Sequence, residues 1–246
     1  MDRLIYTAFT AMNSAMDRQR TVANNLANAS TPGFRGEIFA VKAATVRDGS
    51  PEARAMARGN VRGADMTAGR VTSTGQPMDI AVNGKALIAY QAPDGGEIYS
   101  RRGDLKVALS GLLENGERLP VMGQNGPITV PAGFDISIAA DGTVLGGDPA
   151  APNAPAEPLG RIKLASADGS VLVKGIDSFL KVPGGGVLPA DPTAQVTTGA
   201  LEQSNVETAD TLVAMIEAQR AFEQRVKIIS TASELDEAGS RLMAMR

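Results

Sequence analysis

The chain contains neither histidine nor cysteine, which removes most of the chemistry a protein can do. Without cysteine there are no disulfides, thiolate nucleophiles or thiolate metal ligands. Without histidine the commonest general base is gone, and with it the Ser-His-Asp and Cys-His arrangements and most zinc and iron sites. Catalysis would have to run on carboxylates, Lys, Tyr or Ser. Asp and Glu together number 27, yet no pair stands out from a solvated background as the two carboxylates of a glycan hydrolase. Asp141-Gly142-Thr143 with Asp148 suggests a calcium loop but lacks the full alternating-oxygen spacing, and a hairpin turn is the better reading. Arg102-Gly103-Asp104 spells an adhesion tripeptide and reads as a simple turn. Arg54, Arg58 and Arg62 step by four, but Gly59 interrupts any helix there, which favours a solvated face over a phosphate-binding stripe. Gly184-Gly185-Gly186 lacks the basic residue and the helix of a phosphate-binding loop. The expectation is no catalytic residue, no cofactor and no metal.

With the chemistry so reduced, the elements themselves become the subject. A chain of 246 residues makes one large domain or two modest ones, and 43% hydrophobic content supports a buried core. Aromatics are only 4% and tryptophan is absent, so Val, Ile, Leu, Ala and Met must build that core. Glycine (27) and proline (14) call for many turns. A net charge of −3 is too near neutral to argue for nucleic acid or an acidic membrane. The opening residues lack a basic segment followed by an unbroken apolar stretch, so no secretory signal is read. No apolar run approaches the roughly 20 residues of a membrane span. The protein is expected to be soluble, to start in the cytoplasm, and to leave, if it leaves, by a route that reads no cleaved signal.

Three zones follow along the chain. Residues 2–28 contain no Gly or Pro, and Ile5, Phe9, Met12, Met16, Gln19, Ala23 and Leu26 step alternately by four and three, a heptad-like seam. Ser30-Thr31-Pro32-Gly33 stops that helix. At the other end Leu212, Met215, Gln219, Phe222, Val226 and Ile229 repeat the pattern, drifting to Leu235 and Leu242, and Ser204-Asn205-Val206-Glu207 offers a capping-box start with Ser204 as N-cap. Between them lie short β-prone runs separated by Asn83-Gly84, Asp94-Gly95, Asn115-Gly116, Asn125-Gly126, Asp141-Gly142 and Asp168-Gly169, all suited to turns with positive φ. The fold expected is α+β: paired long terminal helices, coiled-coil-like, flanking an inserted antiparallel all-β domain. The divisions are 1–35 (helical), 36–75 (linker or extended), 76–200 (β) and 201–246 (helical).

Ala23-Asn24-Asn25-Leu26-Ala27-Asn28-Ala29-Ser30-Thr31-Pro32-Gly33-Phe34-Arg35 resembles the N-terminal motif of the flagellar rod and hook proteins. Ser204-Asn205-Val206-Glu207, Met215-Ile216-Glu217-Ala218-Gln219-Arg220-Ala221-Phe222-Glu223 and Lys227-Ile228-Ile229-Ser230-Thr231 resemble the closing motif of that family. Gly75-Gln76-Pro77-Met78-Asp79-Ile80-Ala81-Val82-Asn83-Gly84 and Tyr99-Ser100-Arg101-Arg102-Gly103 are similar to the entry into its β domain. The opening Met1-Asp2-Arg3-Leu4-Ile5-Tyr6 and the single β domain look most like the proximal rod protein, with the distal rod protein a close alternative. Where relatives have a Gly-Phe-Phe run, this chain has Lys85-Ala86-Leu87-Ile88, a departure that bears on packing of the early β domain.

The resemblance implies a structural subunit, not an enzyme, of the basal-body rod. It implies export through the flagellar type III apparatus and assembly in the periplasmic space with copies of itself and other rod proteins. No nucleic acid, membrane insertion or small-molecule substrate is expected. The N-terminal assembly residues would be Ile5, Phe9, Met12, Met16, Asn24, Asn25, Leu26, Asn28, Thr31, Gly33 and Phe34. The C-terminal ones would be Ser204, Asn205, Val206, Leu212, Met215, Gln219, Arg220, Phe222, Val226 and Ile229. The Asn24, Asn25 and Asn28 amides are expected to bond between subunits and set register, as a buried Asn does in a coiled coil. Functions from other classes are a surface adhesin built on the β domain and a carboxylate-based cell-wall glycan hydrolase.

Overall fold

The computed structural model describes residues 2–48, 50–151, 154–175 and 177–244. The side chains of 2–6, 42–62, 235–237, 239–240 and 242–244 lie outside that description. The expectations for Ile5, Arg54, Arg58, Arg62, Leu235 and Leu242 therefore fall outside the described side chains. The chain forms two compact units, a helical unit of 1–27, 37–63 and 207–246 and a β unit of 28–36 and 64–206.

The helical unit holds α1 (Asp2–Ala27), a ribbon of β1 (Glu37–Asp48) and β2 (Ser50–Ala64), and α2 (Thr208–Ala244). The two helices lie against each other, with Arg18 and Glu217 at 3.9 Å. Both of those side chains are exposed, so the ion pair contributes little. The expected capping box is not used. Helix α2 begins at Thr208, where the Glu207 carbonyl accepts from the Thr211 N–H at 3.0 Å and from its hydroxyl at 2.7 Å. The Ser204 hydroxyl accepts from Val206 N–H at 3.1 Å, a local turn that competes with helix at that position. No helix among the described residues is long and apolar enough to cross a membrane.

The β unit opens with β3 (Val71–Ser73), β4 (Ile80–Val82), β5 (Leu87–Gln91), β6 (Glu97–Ser100), β7 (Leu105–Val107) and β8 (Leu113–Asn115). It continues through β9 (Met122–Gly123), β10 (Gly126–Pro127), β11 (Asp135–Ile138), β12 (Thr143–Gly147) and β13 (Glu157–Arg161). Last come β14 (Leu164–Ala165), β15 (Val173–Lys174), β16 (Leu180–Lys181), β17 (Val196–Thr198) and β18 (Ala200–Glu202). The largest sheet has the order β14-β5-β6-β16-β15, each neighbour antiparallel to the next. Late strands close on early ones: β17 pairs with β4 and β18 with β3.

Strand β5 explains the core. Ile88 and Tyr90 point into one apolar cluster with Ile80, Ile98, Leu113 and Val144, while Leu87 and Ala89 point into a second with Tyr99 and Leu188. A strand buried on both faces must read as a continuous apolar run, and Leu87-Ile88-Ala89-Tyr90 does. Tyr90 meets Phe179 edge-on with centroids 6.3 Å apart.

Five of the six turn dipeptides place their glycine at positive φ: Gly84, Gly95, Gly126, Gly142 and Gly169. Asn115-Gly116 does not. There the left-handed residue is Arg118 (φ 66), because the buried Asn115 Oδ1 accepts from both Glu117 N–H (2.9 Å) and Leu119 N–H (3.0 Å) and winds the loop around itself.

The two core tyrosines carry a pH prediction. Tyr90 donates to the Arg102 carbonyl, and Tyr99 donates to Glu97 Oε2 at 2.7 Å while accepting from Leu188 N–H at 2.7 Å. Burial, foremost, holds both phenols well above the ordinary tyrosine value. The folded state therefore binds these protons more tightly than the unfolded chain. Their contribution is fully present below pH about 10, where an unfolded tyrosine titrates, and is lost as pH rises above it. Urea unfolding at increasing alkaline pH should show a falling midpoint, with phenolate absorbance from these two residues appearing only on unfolding.

Candidate functional site

The motif residues of the two chain ends that belong to the β unit meet around a buried cluster of charge. Gly33 has φ +68, and its N–H donates to the Glu202 carbonyl at 2.7 Å. Phe34 is buried, with Lys174 Nζ 3.6 Å from its ring centroid, and the same ammonium donates to the Arg35 carbonyl at 2.5 Å. Arg35 donates from Nη1 to Thr67 O (2.6 Å) and pairs through Nη2 with Glu202 Oε1 (2.7 Å). On the other side Arg101 Nε pairs with Glu202 Oε2 at 2.7 Å. Its Nη1 donates to the Gly84 and Ala86 carbonyls (2.8 and 2.7 Å) and its Nη2 to Val82 O (2.7 Å).

Glu202 is thus the counter-ion of two arginines, and its Oε1 also accepts from Gly69 N–H at 2.8 Å. All three charged side chains are at most 5% exposed. Burial lowers the Arg35 guanidinium from its ordinary value; Glu202 pushes it back up and Arg101 lowers it further. A guanidinium stays protonated through any such shift. Asn205 completes the knot. Its Oδ1 accepts from Gly36 N–H (2.8 Å), its Nδ2 donates to Asp65 O (2.9 Å) and Thr67 O (3.0 Å), and its own N–H donates to Phe34 O (3.3 Å). Nearby in the chain, Thr31 Oγ1 donates to Asn28 Oδ1 at 3.2 Å.

Within the helical unit, Asn25 grips Glu37 at the start of β1, donating to its carbonyl (3.1 Å) and accepting from its N–H (2.8 Å). Asn24 Nδ2 donates to Glu37 Oε1 at 2.6 Å. These side-chain amide hydrogen bonds are made within the chain.

The helical faces divide the expected seam. On α1, Ala15, Val22, Ser14 and Thr21 are buried, Met12, Gln19, Ala23 and Leu26 are half-buried, and Phe9 and Met16 stand exposed at 51% and 45%. On α2, Thr211 and Ala218 are buried and Met215, Phe222 and Ile229 half-buried, while Leu212, Gln219, Arg220 and Val226 are exposed. Val206, just ahead of α2, is half-buried. Small residues at the inner positions let helices approach closely and turn the larger apolar side chains outward. Val213, Ile216 and Ile228, outside the expected seam, are exposed as well.

Other candidates resolve locally. Arg102 is bidentate to Asp104 (2.7 and 2.8 Å) and reaches Glu117 at 2.6 Å, so the adhesion-like tripeptide spends its two charges on each other and on that neighbour. Hydrogen bonding to Asp104, foremost, raises the Arg102 guanidinium. The Asp141 carboxylate accepts the Thr143 N–H (3.0 Å) and hydroxyl (2.8 Å), which close a turn and hold its acid below the usual range. Among the described residues no group of three or more acidic side chains could hold a metal ion.

Sequence reasoning singled out Gly33, Phe34 and Asn205 but missed Arg35, Arg101, Lys174 and Glu202 as one cluster. Arg35 and Arg101 do sit in the quoted motifs, yet nothing local announces that both face one glutamate.

The comparisons bear on these same segments. Residues 5–35 match a model described as flagella basal body rod protein, 81–146 the flagellar hook protein FlgE/F/G D1 domain, and 197–242 the flagellar basal body rod FlgEFG protein C-terminal region. Over its full length the chain is 38% identical to the flagellar basal-body rod protein FlgF of Salmonella typhimurium and 39% identical to that of Escherichia coli, with 100% of each chain covered. It is 28% identical to the flagellar basal-body rod protein FlgG of Bacillus subtilis, over 96% of this chain and 97% of that one.

Proposed function

Since the chain belongs to the flagellar basal-body rod protein family and is a structural rod subunit, we propose that it assembles through the outward faces of its terminal helices. Phe9, Met16, Leu212, Val213, Ile216, Val226 and Ile228 carry the proposal: large apolar side chains left exposed at helical spacing. Exposed apolar stripes of this kind seek partner helices. The partners are other copies of the chain and other rod proteins, packed in coiled-coil-like fashion. A contact between different faces of successive copies does not close and so builds a helical shaft. The segments 1–35 and 201–246 serve assembly, and 76–200 forms the β domain of the subunit.

We assign the proximal portion of the rod on the resemblance of the opening residues and on the single β domain. Delivery is through the flagellar type III export apparatus to the rod in the periplasmic space. The test is to replace the chromosomal gene by the Met16→Glu/Ile216→Glu variant and to inspect swimming and purified basal bodies by electron microscopy. Non-motile cells lacking hook and filament, with wild-type complementation restoring both, is the expected result. Normal flagella and swimming would overturn the helical-face assignment.

A further inference from the structure

We propose that Asn125 is a site of spontaneous deamidation and backbone isomerisation, selected by the fold from three Asn-Gly pairs. The chemistry needs no enzyme. The deprotonated backbone nitrogen of the following glycine attacks the asparagine Cγ, a nitrogen–carbon bond forms, and the amide nitrogen leaves as ammonia. Water then opens the five-membered imide at either carbonyl, leaving aspartate or isoaspartate. Two conditions govern the rate: the asparagine side chain must be free to swing onto the next nitrogen, and the glycine must have room for the ring.

The three pairs meet these conditions very differently. Asn115 is 0% exposed and its Oδ1 holds two backbone N–H groups. A Cβ on Gly116 would lie 2.1 Å from Asp104 Oδ2 and 2.3 Å from an Arg102 nitrogen, so the space above that glycine is full. Asn83 is exposed and a Cβ on Gly84 would also meet nothing within 4 Å, but the Asn83 Oδ1 accepts from Thr197 Oγ1 (3.0 Å), its N–H donates to Gln195 O (2.8 Å), and the Gly84 carbonyl is held by Arg101 (2.8 Å), so its side chain is tethered. Asn125 is exposed at the tip of the β9–β10 hairpin, and a Cβ on Gly126 would meet nothing within 4 Å. Gly126 adopts φ +124, open to the backbone excursions of a glycine. The site adds a negative charge, and in the isoaspartate an extra backbone carbon, to a hairpin tip whose Gln124 lines a cavity of about 200 Å³ with Arg161 and Asp191.

The experiment incubates the folded full-length chain in mildly alkaline buffer and follows each peptide by mass spectrometry, with a urea-unfolded sample in parallel. In urea all three asparagines convert. In the folded chain Asn125 converts first, Asn83 more slowly, and Asn115 about tenfold or more slowly than Asn125, since it must wait for local opening. The Asn125→Gln variant, whose longer side chain disfavours the ring closure, abolishes the earliest charge change seen on isoelectric focusing. Fastest conversion at Asn83 or Asn115, or a folded Asn125 that stays intact while the unfolded one converts, would overturn the proposal.

Discussion

Replacing Glu202 by glutamine is expected to destabilise the β unit by about 3–5 kcal/mol, the range for removing one partner from a buried ionic group. The side chain is 1% exposed and accepts hydrogen bonds on both oxygens, from Arg35 and Gly69 on one and Arg101 on the other. Glutamine fills the same space but turns one acceptor into a donor. Its amide nitrogen must then face an arginine N–H, and two guanidinium charges lose their counter-ion. The readout is urea unfolding followed by near-ultraviolet circular dichroism, in which Tyr90 and Tyr99, both wholly buried, report the core without tryptophan interference. Asp177→Asn is the control. Its partner Lys181 is 2.8 Å away, but both side chains are 41% exposed, and the change should stay within about 1 kcal/mol. Equal effects of the two variants would mean that water reaches the Glu202 cluster.

Gly33→Ala should be comparably damaging, by about 2–5 kcal/mol, through a different cause: the sum of a left-handed backbone penalty of about 1–2 and overpacking of about 1–3. Gly33 has φ +68, and its Cβ would fall 2.2 Å from the Arg101 carbonyl carbon and 2.2 Å from the Arg102 nitrogen. Both obstacles are backbone, so no rotamer change relieves them. Displacing Arg101 also moves the guanidinium that Glu202 neutralises, and Gly33 itself donates to the Glu202 carbonyl. Gly75→Ala separates the two contributions. That glycine has φ +72 with nothing within 4 Å of the added carbon, so its alanine should cost only the backbone share, about 1–2 kcal/mol. Matching losses at the two sites, measured by the same unfolding experiment, would remove the close approach from the account of the Thr31-Pro32-Gly33-Phe34 motif.

Much of this molecule is legible in its sequence. Helical spacing, free of Gly and Pro in α1 and of Pro in α2, marked the two helices, and paired turn residues marked the β unit, because both signals act among residues a few positions apart. The start of α2 was misplaced for a local reason: Ser204 turns its hydroxyl onto Val206 rather than opening the helix. The Asn115 loop was misread because a buried side chain, not the glycine beside it, sets its path.

Residue spacing by itself determined that the two ends are amphipathic helices and that the middle is an antiparallel β unit, and composition alone removed imidazole and thiol chemistry. Only the tertiary structure decided that Arg101 and Glu202, 101 residues apart in the chain, share one buried site with Arg35. Only it decided that α1 turns Ala15 and Val22 inward and leaves Phe9 and Met16 outside. The physical reason is range. Propensity and periodicity act over a turn or two, whereas which charges meet is decided by strands such as β17 and β18 returning to pair with β4 and β3, and which face of α1 turns inward by its packing on α2.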